Sequence, residues 1–137
     1  MCIRDRVSKG NIVFKGKRNL DKGVYFLVSQ DKVRYFDFFI NESSKLNITS
    51  DAADMVKNLK APGSKENEDF FQYILFITQK NQEFMKVKDQ TKTMNKADSA
   101  NFMKEKSKEL NEAVLKFDTE FMNAHKGTFL YLSLIHI

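Results

Sequence analysis

The chain reads as an α+β domain: a small antiparallel sheet of four or five short strands, followed by a long αα-hairpin. Three observations predict this. Residues 11–49 break into short β-branched and aromatic runs separated by turn residues. At Ser64 the apolar period lengthens to that of a helix. Between the two regimes stands Pro62-Gly63, a turn signal.

Taken in order, residues 11–15 (Asn-Ile-Val-Phe-Lys) form a first strand closed by Gly16, and residues 17–23 are polar and turn-rich. Gly23 opens Val24-Tyr25-Phe26-Leu27-Val28, apolar on both faces, as in a strand covered on both sides. Gln30-Asp31-Lys32 is a tight turn. Residues 33–40 give a third strand, with Val33, Tyr35, Asp37 and Phe39 on one face and Arg34, Phe36, Phe38 and Ile40 on the other. After a turn at 41–44, residues 46–49 alternate as a fourth strand, and residues 56–61 are either a helical turn or, as the following Pro62-Gly63 favours, a fifth strand. Short loops favour an antiparallel meander.

Ser64 has an N-cap side chain, and Glu66, Glu68 and Asp69 put negative charge where the first helical turn exposes its N–H groups. Phe70, Ile74, Ile77 and Phe84 then recur at helical spacing, with Phe71, Leu75, Phe76 and Val87 widening the stripe. A stripe that wide is expected to pack on the strands with one side and on the second helix with the other. The connection is placed within residues 91–98, with Asp98 or Ser99 capping a helix that carries Phe102, Leu110, Val114, Phe117 and Phe121. Gly127 fits the C′ position, with His125 and Lys126 beside the last carbonyls. Phe129 is expected to begin another element and to remain uncovered by this domain.

The domain organisation has an unusual feature at its ends. Residues 1–6 (Met-Cys-Ile-Arg-Asp-Arg) and 132–137 (Leu-Ser-Leu-Ile-His-Ile) can be encoded by reverse-complementary DNA strings. Both are therefore expected to be translated sequencing adapter and to make few contacts. Residues 7–131 then form one domain, with strands over 7–62 and the helical hairpin over 63–127. Cys2, the only cysteine, falls in the adapter-like end, as does His136. Without Arg4, Asp5 and Arg6 the net charge of +5 falls by one.

Composition narrows the function. A hydrophobic content of 42% with thirteen phenylalanines is that of a packed domain rather than a disordered chain. Lysines and acids are interspersed, and the aromatics follow core patterns instead of a stacking platform, so nucleic acid is not expected as a partner. With no cysteine in 7–131, disulfides, thiolate catalysis and Cys-ligated zinc are excluded there. The glycines at 10, 16, 23, 63 and 127 are isolated and build no phosphate loop. Asp37, between two phenylalanines, is the most suggestive acid, but an edge strand that turns it to water accounts for it. His125 has no second ligand at metal spacing. Glu66, Glu68 and Asp69 are explained by capping and dipole complement. Met55, Met85, Met94, Met103 and Met122 are dispersed gap-fillers. No catalytic, cofactor-binding or metal-ligating residue is assigned, and no cofactor.

The order of parts nevertheless resembles a known region. Phe14-Lys15-Gly16-Lys17, Gly23-Val24-Tyr25-Phe26-Leu27-Val28, Phe36-Asp37-Phe38-Phe39-Ile40 and Leu46-Asn47-Ile48-Thr49-Ser50-Asp51 occur in sequence. Asp54-Met55-Val56-Lys57-Asn58-Leu59-Lys60 and the junction Gly63-Ser64-Lys65-Glu66-Asn67-Glu68-Asp69-Phe70 follow. Together they are similar to the amino-terminal domain, of unknown function, of thioredoxin-like lipoproteins of Bacteroidota. The likeness covers nearly all of 7–131; Gly127 departs from it, standing where such proteins often have proline. It implies an accessory domain of an envelope thiol-disulfide oxidoreductase whose redox domain, with its Cys-x-x-C, follows Tyr131. The implied partners are that downstream domain and a protein substrate, with the membrane reached only through a lipid anchor outside these residues. The alternative is a free-standing envelope binding module.

Overall fold

The computed structural model describes residues 5–8, 10–15, 17–41 and 45–135, with side chains from residue 10 onward. Cys2, His136 and most of the turn expected at 41–44 lie outside them. Among the described residues four strands and three helices follow one another: β1 (Asp5–Ser8), β2 (Asn11–Phe14), β3 (Gly23–Val28), β4 (Arg34–Ile40), α1 (Lys65–Thr91), α2 (Lys96–Ala124) and α3 (Phe129–Ile135). The α+β class and the helical hairpin are as expected; the sheet is smaller.

No single meander forms. β1 pairs with β2 and β3 with β4, giving two separate two-stranded antiparallel ribbons. Residues 46–49 and 56–61 form no strands. Between them only Thr49 and Lys60 pair, exchanging both backbone hydrogen bonds at 2.9 Å. The cause is local side-chain capture of the backbone. Asp51 accepts from the Ala53 N–H and Asp54 from the Lys57 N–H, winding residues 51–58 into turns instead of a ladder. Leu46 and Ile48 still pack against the core without strand hydrogen bonds.

Strand β4 also departs from simple alternation. Leu27 pairs with Phe36, but Val28 pairs with Arg34, so Tyr35 is the extra residue of a β-bulge. The bulge turns Arg34 onto the face of Phe26 and Asp37. There its guanidinium grips the Asp37 carboxylate through Nε (2.7 Å) and Nη2, and lies 4.7 Å from the Phe26 ring centroid. Strict period-two reading had put Arg34 on the opposite face.

The turn into α1 follows directly from its residues. The Ser64 N–H donates to the Ala61 carbonyl at 2.9 Å, with Pro62 and Gly63 at the corners. Gly63 has φ 85°, the left-handed conformation that a type II turn requires there. Helix α2 begins at Lys96, earlier than expected, because the Asn95 side chain accepts from the Asp98 N–H. At its other end His125 is the cap, and Gly127 takes φ 82° one position beyond C′.

The core is small and aromatic. Phe39, Leu59, Ala61, Phe70, Phe71 and Leu130 are buried together. Phe39 meets Phe70 edge-on at 4.6 Å and Phe129 at 5.9 Å between centroids. Helix α1 is gripped on two sides, as its wide stripe predicted: Phe70 and Phe71 face the strands, while Tyr73 and Phe76 meet α2. Phe76 stacks on Phe117 at 3.9 Å.

Two expectations about the carboxyl-terminal segment are corrected. Phe129 packs on Phe39 and Leu130 is wholly buried, so this segment belongs to the domain's own core. The end hexapeptides, expected to make few contacts, do make some. Asp5 and Arg6 pair with Phe14 and Val13 in β1–β2, and Leu134 packs against the core.

Phe70→Ala should therefore cost about 3–5 kcal/mol in a denaturant titration, the usual loss for a buried phenylalanine. Leu115→Ala, at a position 67% exposed on α2, should stay within about 0.5 kcal/mol of wild type. Similar losses at both positions would mean that the core lies elsewhere.

Candidate functional site

The densest polar constellation is the first turn of α1, where four consecutive side chains each reach a different part of the fold. Glu66 accepts from the Leu130 N–H of α3 at 2.9 Å and from the Asn41 amide at 3.3 Å. Glu68 accepts from the Ala61 N–H at 2.6 Å. Asp69 is held by Lys65 and by His125. Between them Asn67 is buried inside the core, only 1% exposed.

Asn67 is satisfied by a backbone. Its Oδ1 accepts from the Phe39 N–H at 2.7 Å, and its Nδ2 donates to the Phe39 carbonyl at 2.9 Å. A side-chain amide carries the same donor and acceptor as a peptide, so Asn67 closes the outer edge of β4 as a neighbouring strand would. Its Nδ2 also donates to the Ser64 Oγ at 2.9 Å. The Ser64 side chain therefore caps no N–H of α1, contrary to the sequence reading; it accepts from Asn67 instead. Capping and dipole complement are likewise an incomplete account of Glu66, Glu68 and Asp69, which are acceptors for other elements.

His125 joins the end of α2 to this cluster. Nδ1 lies 2.8 Å from the Phe121 carbonyl oxygen and Nε2 3.0 Å from Asp69 Oδ2. Both partners are oxygen acceptors, so the ring tethers the end of α2 to the first turn of α1. The ring stacks on Phe121 at 4.1 Å. Burial pushes the Asp69 carboxyl upward, but the hydrogen bonds and charges of His125 and Lys65 outweigh it and hold the group below its ordinary range. Farther along the hairpin, burial raises the Tyr73 hydroxyl to about 12, assisted by the adjacent Asp118 carboxylate. Asp118 Oδ1 is itself buried without a hydrogen-bond partner.

Beside this clamp a hollow of about 340 Å³ opens over the core, lined by Phe36, Val56, Leu59, Phe70, Phe71 and Ile74. The Arg34–Asp37 ion pair and Tyr35 form its polar rim. Asp37 is thus a paired rim carboxylate rather than a solvated edge residue. The arrangement suits an apolar group whose surroundings are polar; it offers no nucleophile next to a base. Among the described residues, no group of three or more His, Cys, Asp or Glu side chains is placed to hold a metal ion.

No protein family, curated protein or solved structure matches this chain. The site is accordingly read from its own chemistry. Of the residues weighed in the sequence, Glu66, Glu68, Asp69 and His125 come together around the start of α1, and Asp37 lies at the rim of the hollow. The dispersed methionines assemble nothing with them. Asn67 was missed. A polar residue between two acids carries no signal of burial, and its partner Phe39 lies 28 residues earlier.

Two outcomes follow from the clamp. Asn67→Leu keeps the volume but strands two buried backbone groups, and should lose about 2–4 kcal/mol in a chemical melt. A near-neutral result would mean that water or another donor replaces the amide. Asp69 has a lowered folded-state pKa, so its contribution is complete above the ordinary carboxylate range and fades as pH falls through the lowered value. Below about pH 4, wild type should lose melting temperature more steeply than Asp69→Asn. Parallel acid limbs would remove Asp69 from the clamp.

Proposed function

We propose that this chain is a non-catalytic accessory domain that contacts a protein partner, namely the thioredoxin-like domain of an envelope thiol-disulfide oxidoreductase encoded downstream of Tyr131. The observation that carries the reading is the hollow: an apolar floor laid on the buried phenylalanines, with a charged rim. Such a surface receives an apolar side chain from another polypeptide and surrounds it with polar contacts. The clamp supports the same reading, because it commits the polar side chains near the hollow to holding α1, α2, α3 and β4 in place. The motif order in the sequence supplies the nature of the partner.

The decisive experiment is to recover the DNA that follows the Tyr131 codon in its genomic context. A Cys-x-x-C within roughly one further domain length, about 100–150 residues, supports the accessory role. A stop codon would make the protein a free-standing binding module. As a biochemical check, the Cys2→Ser protein should reduce insulin no faster than buffer, since thiol-disulfide exchange requires a thiolate. Turnover above that blank would overturn the non-catalytic assignment.

A further inference from the structure

The β1–β2 ribbon and the segment that joins it to β3 are not accounted for by the hollow or the clamp. Ile12, Val13 and Phe14 are each 46–48% exposed, although side chains of consecutive strand residues point to opposite faces. Both faces of β2 therefore carry half-exposed apolar side chains, Ile12 and Phe14 on one and Val13 beside Asn11 on the other. Immediately after them come Lys15, Lys17, Arg18 and Lys22 against a single acid, Asp21. All four cations are exposed, and none takes part in an ion pair among the described residues. Five lysines of the helical hairpin are instead paired: Lys65, Lys80, Lys92, Lys106 and Lys108 each have an acid three or four residues away within ion-pair distance. Lys86, Lys96, Lys104 and Lys116 are unpaired among the described residues but spread along the helices. Beyond this basic segment β3 presents Val24, Phe26 and Val28, again exposed.

We infer that the β1–β2 ribbon and its basic segment bind an anionic lipid surface, inserting Ile12, Val13 and Phe14 while Lys15, Lys17, Arg18 and Lys22 meet the headgroups. Two physical points select this occupant. Unpaired cations next to exposed apolar side chains are complementary to a surface that is anionic outside and hydrocarbon inside. A strand with half-exposed apolar side chains on both faces is also better matched by lipid, which surrounds what enters it, than by a protein surface, which covers one face. Among the described residues no helix is long and apolar enough to cross a membrane, so the contact is peripheral. This inference is independent of the hollow and of any downstream domain.

Sedimentation of the intact chain with vesicles tests it. The protein should bind phosphatidylcholine vesicles containing about one third phosphatidylglycerol, bind pure phosphatidylcholine at least about tenfold more weakly, and release in high salt. Lys15→Glu/Lys17→Glu/Arg18→Glu should weaken binding by about tenfold or more, and Ile12→Ser/Phe14→Ser should abolish it. Neither set touches the core, so thermal melts should match wild type. Lys104→Glu/Lys116→Glu, on α2, should bind as wild type does. Absence of binding to anionic vesicles, or binding indifferent to the ribbon variants, would overturn the inference. Capture by immobilised polyglutamate without vesicle binding would also do so, assigning the surface to an acidic polypeptide instead.

Discussion

One side-chain amide sets the geometry of this domain. Asn67 gives Phe39 both of the hydrogen bonds that a neighbouring strand would have supplied. A buried backbone group without a partner costs of the order of a lost hydrogen bond, and β4 has two of them at this point. The amide that satisfies them lies in the first turn of α1, so the helix can dock in only one register. That register brings Phe70 edge-on to Phe39 and turns Phe71 toward Phe36. The polar contact contributes specificity; the aromatic burial around it contributes most of the stability.

The neighbouring acids extend the same logic. Negative charge belongs at a helix N-terminus on dipole grounds alone, but such a preference is satisfied anywhere in the first turn. Here each carboxylate is aimed at a further element: Glu66 at the start of α3, Glu68 at the Pro62-Gly63 turn, Asp69 at the end of α2. The base of the hairpin is thereby fixed to everything around it. The distal half is not. Beyond Ile77 the residues of α1 are mostly exposed. Local opening is expected to begin at that distal end, where little apolar area is buried.

The polar side chains nearest the core are occupied structurally, whereas the surfaces left for a partner are mainly apolar. They divide in character. The hollow beside Phe71 is concave, rimmed by an ion pair and laid on the buried aromatic core. The β1–β2 ribbon carries half-exposed apolar side chains and is joined to β3 through unpaired cations. A concave apolar site on a fixed base suits a specific polypeptide contact, and a half-exposed apolar ribbon with a basic flank suits a surface defined by charge and depth.

The sequence by itself determined the parts whose cause is local. The Pro62-Gly63 turn, the two long helices, the left-handed Gly127 and the two-sided stripe of α1 each follow from residues within a few positions of one another. Tertiary structure decided the rest. Leu46-Asn47-Ile48-Thr49 alternates as a strand should, yet alternation records only which side chains are apolar, and Asp51 and Asp54 had already drawn the following backbone into turns. Strand β2 was legible, but its partner was not, since half of β1 lies in the adapter-like end. The bulge at Tyr35 moved Arg34 across the sheet to Asp37, forming the rim of the hollow. The burial of Asn67 could not be read at all: a lone asparagine among acids is polar on any scale, and only the approach of Phe39 from 28 residues away makes its amide part of the core.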